Sequence, residues 1–213
     1  MKLFNRQEWR ENKLKYELQV LLSVVYTLCS AKIEKELRTR IGKASAAFGR
    51  LQKRLWSNRH VSIRVKCKVY RAVVLSSLLY GAESWTIYRS QVKKLGAIMM
   101  RHLRDIMGIK WQDKITNVEV LKRANLPSMA NILIENNLRW LGHVHRMDHD
   151  RLPRQLLYSQ LCSGKHNQGR PRLRYKDVAK RNMKWRDIPT NSWQTMAANR
   201  VAWRSAIKHK PKP

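Results

Sequence analysis

The chain has 213 residues, of which 45 are lysine or arginine and 14 are aspartate or glutamate. A net charge of +31 and an isoelectric point near 10.9 disfavour a compact state without an anionic partner, which would be a nucleic acid or an acidic membrane surface. The basic residues are interleaved with eight Trp and seven Tyr, which favours nucleic acid over a membrane, and a basic protein selected only for solubility is the alternative.

The cysteines and the first apolar run bear on the cellular compartment. Three widely spaced cysteines without a CxxC pair argue against a disulfide scaffold and fit a reducing intracellular setting. The run LQVLLSVVYTLC (18–29) is shorter than the roughly 20 residues that cross a bilayer. A signal peptide is the alternative, but Glu8, Glu11 and Glu17 precede the run, so we expect a buried strand or helix.

Hydrophobic periodicity predicts the first three helices. A long amphipathic helix covers 33–55, and its small residues GKASAAFG (42–49) would let another helix approach closely. The second helix covers 61–80, where VVLSSLLY (73–80) ends at Gly81. The third covers 89–107 and ends at Gly108.

Capping residues delimit the later helices. Thr116 and Glu119 predict a capping box before a short helix, and Ser128 caps a helix over 129–146. Further helices are predicted near 154–161, 175–186 and 191–207, the last capped by Asn191. Four tryptophans at helical spacing in this half of the chain are expected in the core: Trp140, Trp185, Trp193 and Trp203.

These elements predict a mainly α fold, a bundle of amphipathic helices followed by a basic arm and C-terminal helices. The predicted domain organisation is an N-terminal segment (1–31), a helical domain (32–147), a basic linker or arm containing Gly and Pro (148–174), C-terminal helices (175–207) and a disordered tail (208–213).

Six segments, in chain order, carry a family resemblance: RIGKASAAFGRL (40–51), VYRAVVLSSLLYGAESWTIY (69–88), HLRDIMGIKWQDKITNVEVLKRANLPS (102–128), LRWLGHVHRM (138–147), RLPRQLLY (151–158) and GRPRLRYKD (169–177). Together they resemble the C-terminal region of the reverse transcriptase of animal non-LTR retrotransposons. The resemblance implies that this chain corresponds to the thumb and the segment beyond it, which in that family help to hold template, primer and element RNA. It also implies that Glu83 has a structural role. Residues 1–31 depart from the family pattern and are interpreted as a divergent remnant of the end of the palm.

No catalytic centre is predicted. The family places its polymerase carboxylates upstream, in an adjacent Asp-Asp pair that binds two metal ions, and this chain has no such pair. Asp148 and Asp150 are the nearest approximation and are expected in a solvated loop. His143 and His145 point apart on a helix, so no metal site is predicted. Neither a phosphate-cradling loop nor a nucleophile motif is present, so we expect no cofactor, no small-molecule substrate and no enzyme activity.

Two basic clusters are the candidate contacts with RNA or DNA. The first lies in KHNQGRPRLRYK (165–176), where generic phosphate contact is expected and a solvated linker or a minor-groove hook are the alternatives. The second is the basic face of the first helix, and an ordinary solvated face is its alternative. The candidate residues are Lys165, Arg170, Arg172, Arg174, Lys176, Arg38, Arg40, Lys43, Arg50, Lys53 and Arg54.

The predicted function is therefore that of a catalytically incomplete fragment of a retrotransposon reverse transcriptase that binds RNA or DNA through phosphates. The alternatives are a co-opted host protein with protein-binding surfaces on helices 61–80 and 129–146, or an element remnant without a stable fold. We expect an intracellular location, nuclear or cytoplasmic, no membrane contact, and self-association through exposed apolar helix faces.

Overall fold

The first long helix follows directly from its apolar spacing. In a computed structural model, which describes residues 30–159 and 174–208, α1 covers Ser30–Arg50 and buries Ile33, Leu37, Ala44 and Phe48 on one face. It continues into a π-helical turn, Gln52–Trp56. The described residues are mainly α-helical and include no strand, which confirms the predicted fold class.

Glycine and asparagine in left-handed conformation end the next helices, because their backbone tolerates a positive φ. α2 covers 63–78 in three successive segments, Ile63–Val69, Tyr70–Leu75 and Ser76–Leu78, of which the middle one is π-helical. Gly81 follows it at φ +75°, and Ala82–Ser84 form a 3₁₀ turn. α3 covers Arg89–Met107 and ends at Gly108, with φ +66°. α4 covers Asn117–Ala124 and ends at Asn125, with φ +51°.

The remaining helices are α5 (Met129–His145), α6 (Leu152–Tyr158), α7 (Tyr175–Trp185), α8 (Trp193–Ala198) and α9 (Arg200–Lys208). Backbone contacts divide the chain into two compact units. The N-unit comprises 33–82 and 87–134, and the described part of the C-unit comprises 30–32, 83–86, 135–159 and 174–208. The sequence-based domain division stays a prediction. No helix of the described residues could span a membrane.

An aromatic stack organises the core of the N-unit. The ring of Phe48 lies between those of Trp56, at 5.1 Å, and His102, at 4.1 Å, both nearly parallel to it. Tyr70 approaches edge-on, and its hydroxyl oxygen lies 3.4 Å from Nδ1 of His102. The Trp56 indole donates to the Phe48 carbonyl at 2.9 Å. The stack therefore joins α1, α2 and α3 and ties the π-helical turn to α1.

A polar hub organises the C-unit around the buried Asn137 of α5. Its Nδ2 donates to the Glu83 carbonyl at 3.2 Å, and its Oδ1 accepts from Nδ2 of Asn182 at 2.9 Å. The hydroxyl of Tyr175 donates to the Asn137 carbonyl at 3.3 Å. Burial, and then the charge of Glu83, raise the pKa of the Tyr175 phenol. Glu83 thus takes part in structure through its backbone, and α7 is held to α5 by two hydrogen bonds.

Several local predictions are wrong. The small residues of 42–49 were predicted to let another helix approach closely, but at Gly42 and Gly49 no other helix does so, because no atom outside α1 lies within 4 Å of a Cβ built on either. The helix predicted over 191–207 is two helices, because Asn199 accepts from the backbone N–H groups of Val201 and Ala202 and starts α9. α8 has Ser192 rather than Asn191 at its N-cap. The core prediction fails for Trp185, which is 53% exposed, and holds for Trp203, which is buried.

Candidate nucleic-acid interface

Two of the predicted contacts on α1 are held in ion pairs within the helix. Nη2 of Arg38 lies 3.3 Å from Oε1 of Glu34, and Nε of Arg40 lies 2.7 Å from Oε1 of Glu36. Glu34 also pairs with Lys94 at 3.6 Å. The hydrogen bond from Arg38 and the charge of Lys94 lower the pKa of the Glu34 carboxyl. Part of the positive charge of these arginines is therefore compensated locally.

Arg40 also has a packing role. Its guanidinium lies over the ring of Tyr80, 4.6 Å from the centroid, and its side chain is only 16% exposed. A cation over an aromatic face is attracted by the ring quadrupole, so this contact links α1 to the residues that follow α2. Much of the Arg40 side chain is consequently covered by protein.

The other four predicted contacts are exposed and have no ion pair among the residues that the structure describes. Lys43 and Arg50 are seven positions apart, which places them on one side of α1, two turns and about 10 Å apart along its axis. Lys53 and Arg54 follow on the π-helical turn. This set of cations extends beyond the end of α1 with its charge uncompensated.

The second predicted cluster is described only at its end. Lys165, Arg170 and Arg172 lie outside the described residues. Arg174 precedes α7, and its backbone N–H donates to Oδ2 of Asp177 at 3.2 Å. Nζ of Lys176 donates to the Ser159 carbonyl at 3.2 Å, which ties the start of α7 to the end of α6. An ammonium has three donors, so this bond leaves two for another acceptor.

Lys43, Arg50, Lys53 and Arg54, which we call the α1 set, thus lie in the N-unit. Arg174 and Lys176 lie in the C-unit. Asp148 and Asp150 are exposed in the turn before α6, as expected for a solvated loop. Among the described residues, no group of three or more His, Cys, Asp or Glu side chains could hold a metal ion.

Sequence reasoning missed a polar cavity of about 420 Å³ in the C-unit. Nδ1 of His145 lies 2.6 Å from the hydroxyl oxygen of Tyr158, and Nη2 of Arg154 lies 3.2 Å from Nε2 of His149. Burial, and then the charge of Arg154, lower the pKa of His145. The sequence signal for this cavity is the density of histidine and arginine in HVHRMDHDRLPR (143–154).

Comparison with known proteins finds one informative similarity. The chain is 25% identical over 152 residues to a Caenorhabditis elegans protein described as transposon-derived, F52C9.6. The match covers 68% of this chain and 54% of the relative, so the chain spans about half of the relative's length. No protein-family model matches the chain, and no solved structure matches it. The chain is thus similar to a protein of transposon origin.

Proposed function

We propose that this chain is a catalytically incomplete part of a non-LTR retrotransposon reverse transcriptase, comprising the thumb and the region beyond it, and that it binds RNA or DNA largely through phosphate contacts. The proposal is carried by the surplus of cations over acidic partners. The transposon-derived relative and the order of the six resembling segments support the assignment. An intracellular location, nuclear or cytoplasmic, belongs to the same proposal.

The surplus is large because few cations are neutralised within the fold. Among the described residues the acidic side chains form five ion pairs, and all of them except Arg40–Glu36 lie on the surface. Exposed pairs of this kind contribute about 0–1 kcal/mol each, so they hold the cations only weakly. Exposed lysines and arginines without a partner release counterions when they contact phosphates, and that release drives binding that tolerates any sequence.

The test is fluorescence anisotropy of the purified chain with single-stranded RNA, single-stranded DNA and duplex DNA across a salt series. Each phosphate contact contributes about 0.7–0.9 to the slope of log affinity against log salt. We expect the variant Lys43→Ala/Arg50→Ala to have a slope shallower by up to about 1.4–1.8. A second variant, with alanine at Arg170, Arg172, Arg174 and Lys176, measures the contribution of the arm in the same way.

The matched control is Arg123→Ala/Arg139→Ala, which removes the same charge from two arginines already paired with Glu119 and Glu135. We expect this control to change the slope less than Lys43→Ala/Arg50→Ala does. Equal changes would mean that only net charge matters and that the α1 set is no interface. Absence of binding at low salt by the folded chain would contradict the proposal as a whole.

The lack of a catalytic centre is tested separately. A primer-extension assay on an RNA template with Mg²⁺ should show no incorporation by the purified chain, because the paired carboxylates that would hold two metal ions are not in its sequence. Template-directed incorporation that persists through repeated purification would overturn this part of the proposal and leave the binding part standing.

A groove in the N-unit favours the second candidate, a protein-interaction role. The groove has a volume of about 1240 Å³, and its lining includes Phe48, Met99, Met100 and Leu121. Phe48 and Met99 are buried at its floor, and Met100 and Leu121 are partly exposed, so an apolar side chain of a partner protein would meet an apolar lining there. This role predicts a stable complex whose affinity changes little with salt, whereas phosphate contact predicts a steep loss of affinity.

A further inference from the structure

The loop between α3 and α4 exposes the indole of Trp111. This side chain is 84% exposed, whereas tryptophan in folded proteins is on average highly buried. Trp56, Trp85 and Trp203 of the same chain are each at most 3% exposed. The loop therefore presents a large aromatic surface to solvent that the core of the N-unit does not use.

The exposure is imposed by a well-bonded loop. The backbone N–H of Lys110 donates to Oδ2 of Asp113 at 2.8 Å, and that of Lys114 donates to the Trp111 carbonyl at 3.3 Å. These bonds close a 3₁₀ turn, Trp111–Asp113, with the indole on its first residue. Lys114 leaves the turn at φ +48°, a conformation that costs a residue with a Cβ about 1 kcal/mol.

The far end of the loop is anchored to α3. Nη2 of Arg104 donates to the Ile115 carbonyl at 2.7 Å and to Oδ1 of Asn117 at 3.0 Å. The hydroxyl of Thr116 then accepts from the backbone N–H of Glu119 at 3.3 Å and caps α4. The two ends of the loop are thus fixed, so the backbone that carries Trp111 is ordered before any ligand arrives, and little ordering of that backbone would be needed on binding.

The charges around the indole point to the ligand. Lys110 and Lys114 flank the turn, are exposed, and have no ion pair among the described residues. The nearest acid in sequence, Asp113, has one carboxylate oxygen bonded to the backbone of the turn. An exposed aromatic face with cations on both sides is the combination by which proteins hold single-stranded nucleic acid, the ring stacking on a base and the cations contacting phosphates.

We propose that Trp111 stacks on an unpaired nucleobase while Lys110 and Lys114 contact the phosphates on either side of it. The N-unit then distinguishes single-stranded RNA or DNA from a closed duplex, which phosphate contact alone does weakly. This inference rests on the proposed function and adds a base-contacting residue to it. The loop lies within the resembling segment 102–128, and none of its residues is among the candidate contacts predicted from the sequence.

The test compares two single strands of equal length, one with bases and one abasic throughout, by anisotropy at a fixed salt concentration. Stacking on a base contributes about 1–3 kcal/mol, so Trp111→Ala should bind the strand with bases about 5- to 150-fold more weakly. Its affinity for the abasic strand and its salt slope should match the unchanged protein, because no charge is removed. Trp111→Phe should restore part of the loss.

The matched control is Val118→Ala, since Val118 is 77% exposed but lies on α4 and offers no ring. It should leave both affinities unchanged. The inference is overturned if Trp111→Ala binds both strands like the unchanged protein, as expected for a protein-contacting tryptophan, or if both affinities fall equally. In either case salt-dependent binding by the unchanged protein would still support the proposed function. If the unchanged protein binds neither strand at low salt, both proposals fail.

Discussion

Gly142 in α5 lies against the indole of Trp203 in α9, and there is no room for a methyl side chain at position 142. A Cβ built on Gly142 would overlap the ring, whose Nε1 is fixed by a 2.9 Å hydrogen bond to the Leu138 carbonyl. Gly142→Ala gains about 1 kcal/mol of helix propensity, but the overpacking costs about 1–3 kcal/mol or more because the buried ring cannot move aside. We expect net destabilisation, measured as a lower thermal unfolding midpoint.

Gly96 in α3 supplies the comparison. The nearest atom to a Cβ built there, outside its own helix, is Cβ of Met129 at 3.8 Å, an ordinary contact. Gly96→Ala should therefore raise stability by up to about 1 kcal/mol through helix propensity alone. An unfolding midpoint for Gly142→Ala as high as that for Gly96→Ala would show that α9 does not pack against Gly142.

His102 should make the stability of the protein depend on pH. Burial, and then the charge of Arg101, lower the pKa of His102 from 6.5 to about 4, against a smaller opposing effect of Asp105. The unfolded chain then binds the proton more readily, so the stabilisation is fully present above pH 6.5 and is lost as the pH falls towards 4. The loss should reach up to about 3 kcal/mol, measured by urea unfolding at several pH values.

The histidine effect is isolated by substitution. In His102→Gln, which keeps a hydrogen-bonding group near the Tyr70 hydroxyl, the loss of stability between neutral pH and pH 4 should be smaller. His60, which is exposed, is the control, and His60→Gln should retain the full pH dependence. If His102→Gln and the unchanged protein lose the same stability over this range, His102 is not the group that titrates.

At the scale of elements, the polar hub should act as a coupled unit that attaches α7 to α5. Asn137→Leu removes the acceptor of Asn182 Nδ2 and so leaves a buried polar group without this hydrogen bond. Each such group costs about 1–3 kcal/mol, so the free energy of unfolding should fall by at least that amount. The double variant Asn137→Leu/Asn182→Leu also removes the Asn182 amide that would otherwise lack its acceptor. Its loss in free energy of unfolding should therefore be smaller than the sum of the losses of the two single variants. Additive costs in urea unfolding would contradict the coupling.

Element boundaries were predictable where a single residue determines the backbone. Gly108 ends α3 at the predicted residue, because its positive φ is open to glycine, and Ser128 caps α5 with its side chain. The predicted capping box at Thr116 is only half formed, since the Glu119 carboxylate pairs with Arg123 instead. The two π-helical segments were not predictable, because their shifted hydrogen bonds depend on packing against neighbouring helices rather than on local sequence.

The candidate site likewise has features that the local sequence predicts and features that depend on tertiary contacts. Charge and exposure at Lys43 and Arg50 followed from helical spacing, because polar positions opposite an apolar stripe face solvent. The compensation of Arg38 and Arg40 was predictable only in part. Their glutamate partners one turn away are visible in the sequence, but the contact of Glu34 with Lys94 joins positions 60 residues apart. The exposure of Trp111 could not be predicted from the sequence, because it depends on the folded loop between α3 and α4.

At the scale of the whole molecule, a net charge of +31 should make the folded protein more stable as salt is added. Four of the five described ion pairs are exposed and weak, whereas repulsion acts among all the unpaired cations. Screening shortens the Debye length from about 30 Å at 0.01 M salt to about 10 Å at 0.1 M. Between low and moderate NaCl the unfolding midpoint should therefore rise by a few degrees, equivalent to about 1 kcal/mol. Replacing Lys43, Arg50, Lys53 and Arg54 by glutamine should reduce this rise. An unfolding midpoint that falls as salt is added would mean that attraction within ion pairs outweighs repulsion among the cations. The surplus of cations would then no longer support the proposal of a polyanionic partner.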